Sequence, residues 1–333
     1  MIILPQMPSQ NRYTEFWIEM WERELRKRNI PLLMLGERNL SPLDRSKSFN
    51  WFCDTKKAIR YELNQVIALL DYVEEDEKIL WLDASFPGFS VNASQLMKRM
   101  NPNLKIFAYV HAGSWCKGDI WSTIKSKKQI ELNGLGIFDK IFVSTFYHKK
   151  LIQSSLDCNF YSSRKELKDK IKIVGIPYYV EDIPKIVRDT SVKKPKILII
   201  GRGEQSDTGM MDRYIKNVGT KWEIVNKTFG SRLDYLKELS TCKLAVSFKT
   251  EETFGLSTLD ALSLGTFPLC PNRCAYSEVL DNPKFLYQNE QSLMEKTFSL
   301  MKSDISTKEL TTHKIFNDCK LCIPKICYEI ESS

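Results

Sequence analysis

Residues 251–280 read EETFGLSTLDALSLGTFPLCPNRCAYSEVL, and the fold and the chemistry are both read outward from them. A polar loop reaches Gly255, a helix opens after it, Gly265 follows that helix, and TFPLCP is a short strand. Gly255 lets the backbone approach a ligand closely. The residues after it, Leu256 and Ser257 first, offer the free N–H groups and positive dipole end of a helix, a binding place for phosphate. Asp260 lies one to two turns inside the helix, placed to accept hydrogen bonds from ribose hydroxyls. Glu252, with Thr253 and Phe254 beside it, sits on the loop before the helix.

Upstream, residues 196–209 (KILIIGRGEQSDTG) form a strand that runs into Gly201-Arg202-Gly203, a loop suited to phosphate contact. KWEIVN and KLAVSFK supply further strands of the same series. The first half repeats the alternation. Strands are read at 1–5, 30–35, 78–82, 105–111, 140–144 and 170–174, and helices at 13–28 and 55–73. In the first helix Tyr13, Phe16, Trp17, Met20, Trp21 and Leu25 share one face. Repeated βα units predict α/β architecture with parallel, doubly wound sheets. Residues 175–196 carry three prolines and mixed charge without a core period and read as a linker. The expectation is a Rossmann-like domain over 1–180, a linker over 181–195, a second such domain over 196–310 and a final helix in 311–333 crossing back to the first domain. Ligands would lie in a cleft between the carboxyl ends of the two sheets.

Composition agrees with two packed domains. The chain has 333 residues, 43% hydrophobic and 27% charged, and 11% aromatic residues is too rich for a solvated chain. It contains no run of about 18 uncharged apolar residues, the length a membrane span needs. The opening MIILPQ lacks the charged start and long apolar stretch of a secretory leader and reads as a first strand of a cytoplasmic protein. A net charge of +8 favours a polyanionic partner. Nine cysteines without a paired framework fit a reducing compartment.

The order Glu252, Phe254-Gly255-Leu256, Asp260, Ala261 and Gly265 resembles the C-terminal domain of GT-B nucleotide-sugar glycosyltransferases, family four in particular. Those enzymes carry a second acidic residue, usually Glu, eight positions after the first; here it is Asp260. Pro268, Leu269, Pro271, Asn272, Tyr276 and Glu278 are similar to the queuosine-tRNA mannosyltransferase branch. The resemblance implies a UDP- or GDP-linked sugar as co-substrate, with Arg202, Thr253, Phe254, Gly255, Leu256, Ser257 and Asp260 on the donor. It also implies Glu252 and His111 at the transferred sugar, and retention of configuration. His111 ends the strand IFAYVH, and Asp139 and Ser144 match a further family segment. Resembling enzymes place a Lys-Gly after the Gly-Arg pair; Asp207-Thr208-Gly209 occupies that region here, so Lys249, Lys227 or Arg232 would supply the second phosphate clamp. The glycine-rich loop of many relatives is replaced by Pro5-Gln6-Met7-Pro8-Ser9-Gln10-Asn11-Arg12, which makes Gln10 and Arg12 acceptor-side candidates with Ser114 and Trp115. No Asp-x-Asp is present, so no essential metal is expected.

For the acceptor, the basic stretch His148-Lys149-Lys150, then Arg164, Lys165, Lys168, Lys170 and Lys172, falls in the first domain. Lys117, Lys125, Lys127 and Lys128 follow His111 with Trp115 and Trp121 among them, a pattern suited to phosphate contact and base stacking. A hydroxyl on a modified base of tRNA or of hydroxymethylated DNA is therefore the leading acceptor; phage DNA-base glycosyltransferases share the GT-B fold and need a flipped base. Glycans, lipids and small molecules are alternatives, the basic helix end Arg23 to Arg28 would suit an anionic membrane, and a non-catalytic nucleotide- or nucleic-acid-binding protein is a second class. His313, Cys319, Cys322 and Cys327 are a zinc-ligand combination without a second Cys-x-x-Cys, and are read with Cys270 and Cys274 as packing residues.

Overall fold

The computed structural model describes residues 1–8, 13–31, 33–36, 55–73, 77–84, 89–117, 122, 131–132, 134–157, 164–188, 192–201 and 206–333. The chain divides into two compact units, Met1–Pro177 with Leu321–Ser333, and Tyr178–Lys320. Each is built on a parallel sheet in the Rossmann manner.

In the first unit the chain runs β1 (Ile2–Leu4), α1 (Tyr13–Lys27), β2 (Leu33–Met34), α2 (Thr55–Tyr72), β3 (Lys78–Trp81), α3 (Phe89–Met100) and β4 (Lys105–Tyr109). It continues through β5 (Lys140–Val143), α4 (Phe146–Asp157), α5 (Arg164–Lys170) and β6 (Ile171–Ile173). The strands pair in the order β2-β1-β3-β4-β5-β6, all parallel. Ile79, Leu80, Ile106, Phe107, Ile141 and Phe142 are all fully buried, which is why these strands read as unbroken apolar runs rather than alternating ones. Trp17, Trp21 and Leu25 are the buried face of α1.

The second unit runs from a 3-10 turn (Val180–Asp182) and α6 (Lys185–Arg188) into β7 (Lys194–Ile200), α7 (Thr208–Val218), β8 (Glu223–Val225), α8 (Arg232–Thr241) and β9 (Cys242–Ser247). Then come α9 (Leu256–Ser263), β10 (Phe267–Pro271), α10 (Tyr276–Leu280), β11 (Leu286–Tyr287), α11 (Glu290–Lys302), α12 (Thr307–Thr311) and α13 (Ile315–Lys320). Its strands pair in the order β11-β10-β9-β7-β8, again parallel. The stretch read as an irregular linker thus carries a turn, a short helix and the start of β7, two residues earlier than the apolar run suggests.

The last helix, α14 (Cys322–Glu331), belongs to the first unit. Cys322, Ile323, Ile326, Cys327 and Ile330 are buried along one face. Lys78, the first residue of β3, donates to the Ile330 carbonyl (2.8 Å), and Lys140, the first of β5, donates to the Glu329 carbonyl (2.7 Å). Two cations therefore cap the negative end of α14 at the amino edge of the sheet, the edge opposite His111. Among the described residues no His, Cys, Asp and Glu group is arranged to hold a metal. His313 contacts the Leu280 carbonyl (3.2 Å), and burial pushes the Cys327 thiol up to about 11. No helix among the described residues is long and apolar enough to cross a membrane.

Ile326 is fully buried, so Ile326→Ala is expected to lower unfolding stability by about 2–5 kcal/mol. Urea titration would show this, and a cost within error would mean that α14 is not part of the folded core.

Candidate functional site

The second sheet has one place where its strand order reverses. From β7 the chain moves outward to β8, then crosses to β9 on the other side of β7. β7 and β9 are the neighbouring strands at that point, and open α/β sheets bind ligands beyond the carboxyl ends of such a pair. Gly201 ends β7 with φ +102°, and a Cβ there would lie 2.8 Å from Cε of Lys249, so the lysine stem lies against the glycine backbone. Lys249 follows β9 and is only 3% exposed. Phe248 O accepts from Asp207 N (2.9 Å), and Ser206 bridges Lys249 in antiparallel fashion, tying the two loops together.

The helices that follow β7 and β9, α7 and α9, differ at their first turns. The N-terminus of α7 is filled by its own cap, since the Asp207 carboxylate accepts from Met210 N (2.9 Å). The N-terminus of α9 has no side-chain cap. Its cap residue is Gly255 in the left-handed region (φ 97°, ψ 59°), where a Cβ would stand 3.1 Å from the Tyr276 ring and 3.3 Å from Thr258 Oγ1. Backbone angle and space both call for glycine. Immediately before it, Glu252 Oε1 accepts from Thr253 N (3.1 Å) and Phe254 N (3.3 Å), which fixes the carboxylate beside the turn. Tyr276 and Ser247 share a hydrogen bond (2.8 Å), and Tyr287 donates to the Ser247 carbonyl (2.8 Å). Burial, with the Glu252 charge added, holds the Tyr276 phenol well above its usual range, so it stays neutral.

Asp260 and Arg232 are placed otherwise than the sequence reading expects. The Asp260 carboxylate, 2% exposed, accepts two bonds from the Arg232 guanidinium (3.0 and 2.7 Å) and one from the Tyr178 hydroxyl (2.8 Å). Burial works against the Arg232 cation, but the Asp260 charge outweighs it and keeps that group protonated. Burial and the same carboxylate raise the Tyr178 phenol. The residue assigned to ribose hydroxyls and a residue offered to phosphate are thus each other's partners. Tyr178 went unnoticed in the sequence, where it reads as one of two tyrosines in a turn.

The first sheet reverses between β1 and β3. Gln65 on α2 donates to Pro5 O (2.7 Å) and Leu35 O (3.0 Å), tying down the loops that leave β1 and β2. His111 lies just past β4, half-buried, its ring 4.3 Å from Trp17 and 4.6 Å from Tyr109. Ser114 and Trp115, expected to face an acceptor, are buried instead. The Ser114 N–H donates to Glu131 (2.8 Å), and the Trp115 indole N–H donates to His148 Nε2 (3.1 Å). His148, read as the start of a basic stretch, is fully buried, and desolvation pushes its pKa down to about 3. It is a neutral core residue, and accepting at Nε2 places its proton on Nδ1. Gln10, Arg12, Arg202, Trp121, Lys125, Lys127 and Lys128 lie outside the described residues.

The chain is 28% identical over 107 residues to a tRNA-queuosine alpha-mannosyltransferase of Drosophila melanogaster, a match covering 32% of this chain and 28% of that protein. No protein-family profile matches the chain. Among solved structures it resembles a trehalose-6-phosphate synthase (TM-score 0.58, 10% identity, 81% of this chain and 77% of that one). It also resembles the pneumococcal O-GlcNAc transferase GtfA, solved with UDP and GlcNAc (TM-score 0.53, 10% identity, 82% of this chain and 60% of that one). The fold is therefore that of the GT-B glycosyltransferases.

Two outcomes follow from the packing. Gly255→Ala forces an L-residue into the left-handed region against Tyr276, and thermal unfolding should show a loss of about 1–3 kcal/mol; an unchanged midpoint would mean the turn is not held as described. His148 has its folded pKa depressed, so between pH 6.5 and 3 the unfolded chain binds a proton the folded chain does not. Stability is complete above pH 6.5 and falls with pH below it, by about 1–2 kcal/mol between pH 7 and 5. Urea titrations of wild type and His148→Asn at the two pH values would show that part of the slope vanish in the variant.

Proposed function

We propose that the chain transfers a sugar from a UDP- or GDP-linked donor to a hydroxyl on a modified base of nucleic acid. The observation that carries the donor assignment is the uncapped N-terminus of α9 behind Gly255, with Glu252 fixed beside it at the carboxyl edge of the second sheet. Unpaired N–H groups and a helix dipole favour an anion, and the charge of a nucleoside diphosphate grows as it leaves. In this reading the diphosphate rests on Leu256 and Ser257, and Glu252 holds the sugar hydroxyls while the anomeric carbon passes through an oxocarbenium-like state. His111 is the residue of the first unit assigned to the sugar. We take the transfer to proceed with retention, as the sequence resemblance implies. Because helix and cation would carry the leaving charge, turnover is expected to persist in EDTA.

The acceptor rests on the stretch shared with a tRNA-modifying enzyme and on the net charge of +8. A second reading, a nucleotide-binding protein without turnover, draws on the occupied Asp260 carboxylate. One assay separates the two. The protein is incubated with UDP-, GDP- and ADP-sugars, tRNA and hydroxymethylated duplex DNA, and the digested nucleosides are weighed by mass spectrometry. A mass gain of one sugar on a base is expected, with Glu252→Ala lowering it roughly 100-fold or more. Released nucleoside diphosphate without a modified base would move the acceptor to glycans or lipids, and neither product would leave the binding protein.

A further inference from the structure

His111 is set in place at two levels, backbone and ring. The backbone before it is fixed on both sides, since Tyr109 O accepts from Ala84 N (3.2 Å) and Val110 N donates to Phe142 O (2.9 Å). The chain beyond it is fixed again where Ser114 N donates to Glu131 (2.8 Å) and the Trp115 indole to His148 (3.1 Å). The imidazole itself meets two aromatic rings. Tyr109 and His111 are two residues apart where β4 runs out, so both side chains leave the same face, and their ring centroids stand 4.6 Å apart. Trp17, from the buried face of α1, closes the set at 4.3 Å from His111 and 5.5 Å from Tyr109, its ring at 87° to the phenol.

We propose that Tyr109 is a positioning residue: with Trp17 it holds the His111 imidazole in one orientation, and it acts on the sugar only through that ring. This rests on the reading of His111 as the residue of the first unit at the transferred sugar. Three observations support it. Tyr109 is itself tethered at both ends, by the strand bonds of its backbone and by its hydroxyl, which donates to Gly175 O (2.6 Å), 66 positions further along the chain. The three rings touch one another pairwise, and the edge-on approach of Trp17 to Tyr109 is an arrangement that aromatic pairs prefer. Both are buried, so neither moves aside without opening the core. Finally, His111 is half-buried, covered by these rings on part of its surface and open on the rest. A side chain held in this way loses little freedom when it meets a substrate, and orientation of that kind is a large part of what a site contributes to rate.

The test is a double-mutant cycle on the full chain, with sugar transfer read by the mass-spectrometric assay above. Tyr109→Phe keeps the ring and removes the tether. It is expected to lower kcat roughly 10- to 100-fold and to change KM for the sugar nucleotide by less than about threefold. In a chain already carrying His111→Ala the same substitution should cost less than about twofold, because no imidazole is left to position. Equal losses in the two backgrounds would show a merely structural role and overturn the proposal, as would full activity in Tyr109→Phe. Imidazole resonances give a second readout that needs no turnover. The chain has three histidines, so each signal is assigned by removing one at a time. Ring currents of Trp17 and Tyr109 should displace the His111 signals in the wild type. Tyr109→Phe should move them towards ordinary histidine positions with His148 and His313 unchanged, and unmoved His111 signals overturn the proposal. Should Tyr109→Phe not fold, Trp17→Phe takes its place in both measurements with the same expectations. A wild-type chain that transfers no sugar defeats the glycosyltransferase reading and this inference with it, whereas failure of the inference alone leaves the wild type active.

Discussion

The left-handed turn at Gly255 is the constraint on which the second unit's chemistry depends. It ends the loop from β9, starts α9 without a side-chain cap, and brings Glu252 back beside the first turn. A side chain at that position would meet both an unfavourable φ and the Tyr276 ring. The turn is held from below as well: Ala275 N donates to Glu252 O (3.2 Å), and Tyr276 reaches Ser247 at the end of β9. The helix after β7, α7, has its own N-terminus filled by Asp207, so the starts of α7 and α9 are chemically unlike.

Asp260 shows how a buried ion pair takes up a carboxylate that the sequence offers as a ligand group. On α9 its carboxylate meets the first residue of α8 and the Tyr178 hydroxyl and is satisfied on both oxygens. A carboxylate 2% exposed cannot turn outward without leaving a buried guanidinium partly unpaired, and breaking a buried pair costs about 3–5 kcal/mol. The pair therefore works as a strut between α8 and α9.

Much of this was legible in the sequence, for definite reasons. Strands buried on both faces, such as KILII and KIFAY, stand out as apolar runs, and the strand–loop–helix order around Gly255 follows from a glycine placed between a polar loop and a helix. What was not legible depends on neighbours far apart along the chain. Nothing local tells Trp115 or His148, each set among basic residues, that they will bury one another; their hydrogen bond spans 33 positions. Asp260 and Arg232 are 28 positions apart on different helices, so each read as a free charge. The boundary at Leu321 was hidden because α13 and α14 follow one another almost without interruption, although they belong to different units.

Binding of the donor's phosphates at the first turn of α9, as proposed, would be visible in the backbone amide resonances. When the isotope-labelled chain is titrated with UDP and GDP, the Leu256 and Ser257 amides are expected to shift downfield and saturate with the nucleotide, while Met210 at the capped start of α7 stays in place. Shifts confined to α7, with the Leu256 and Ser257 amides unmoved at saturating nucleotide, would contradict it.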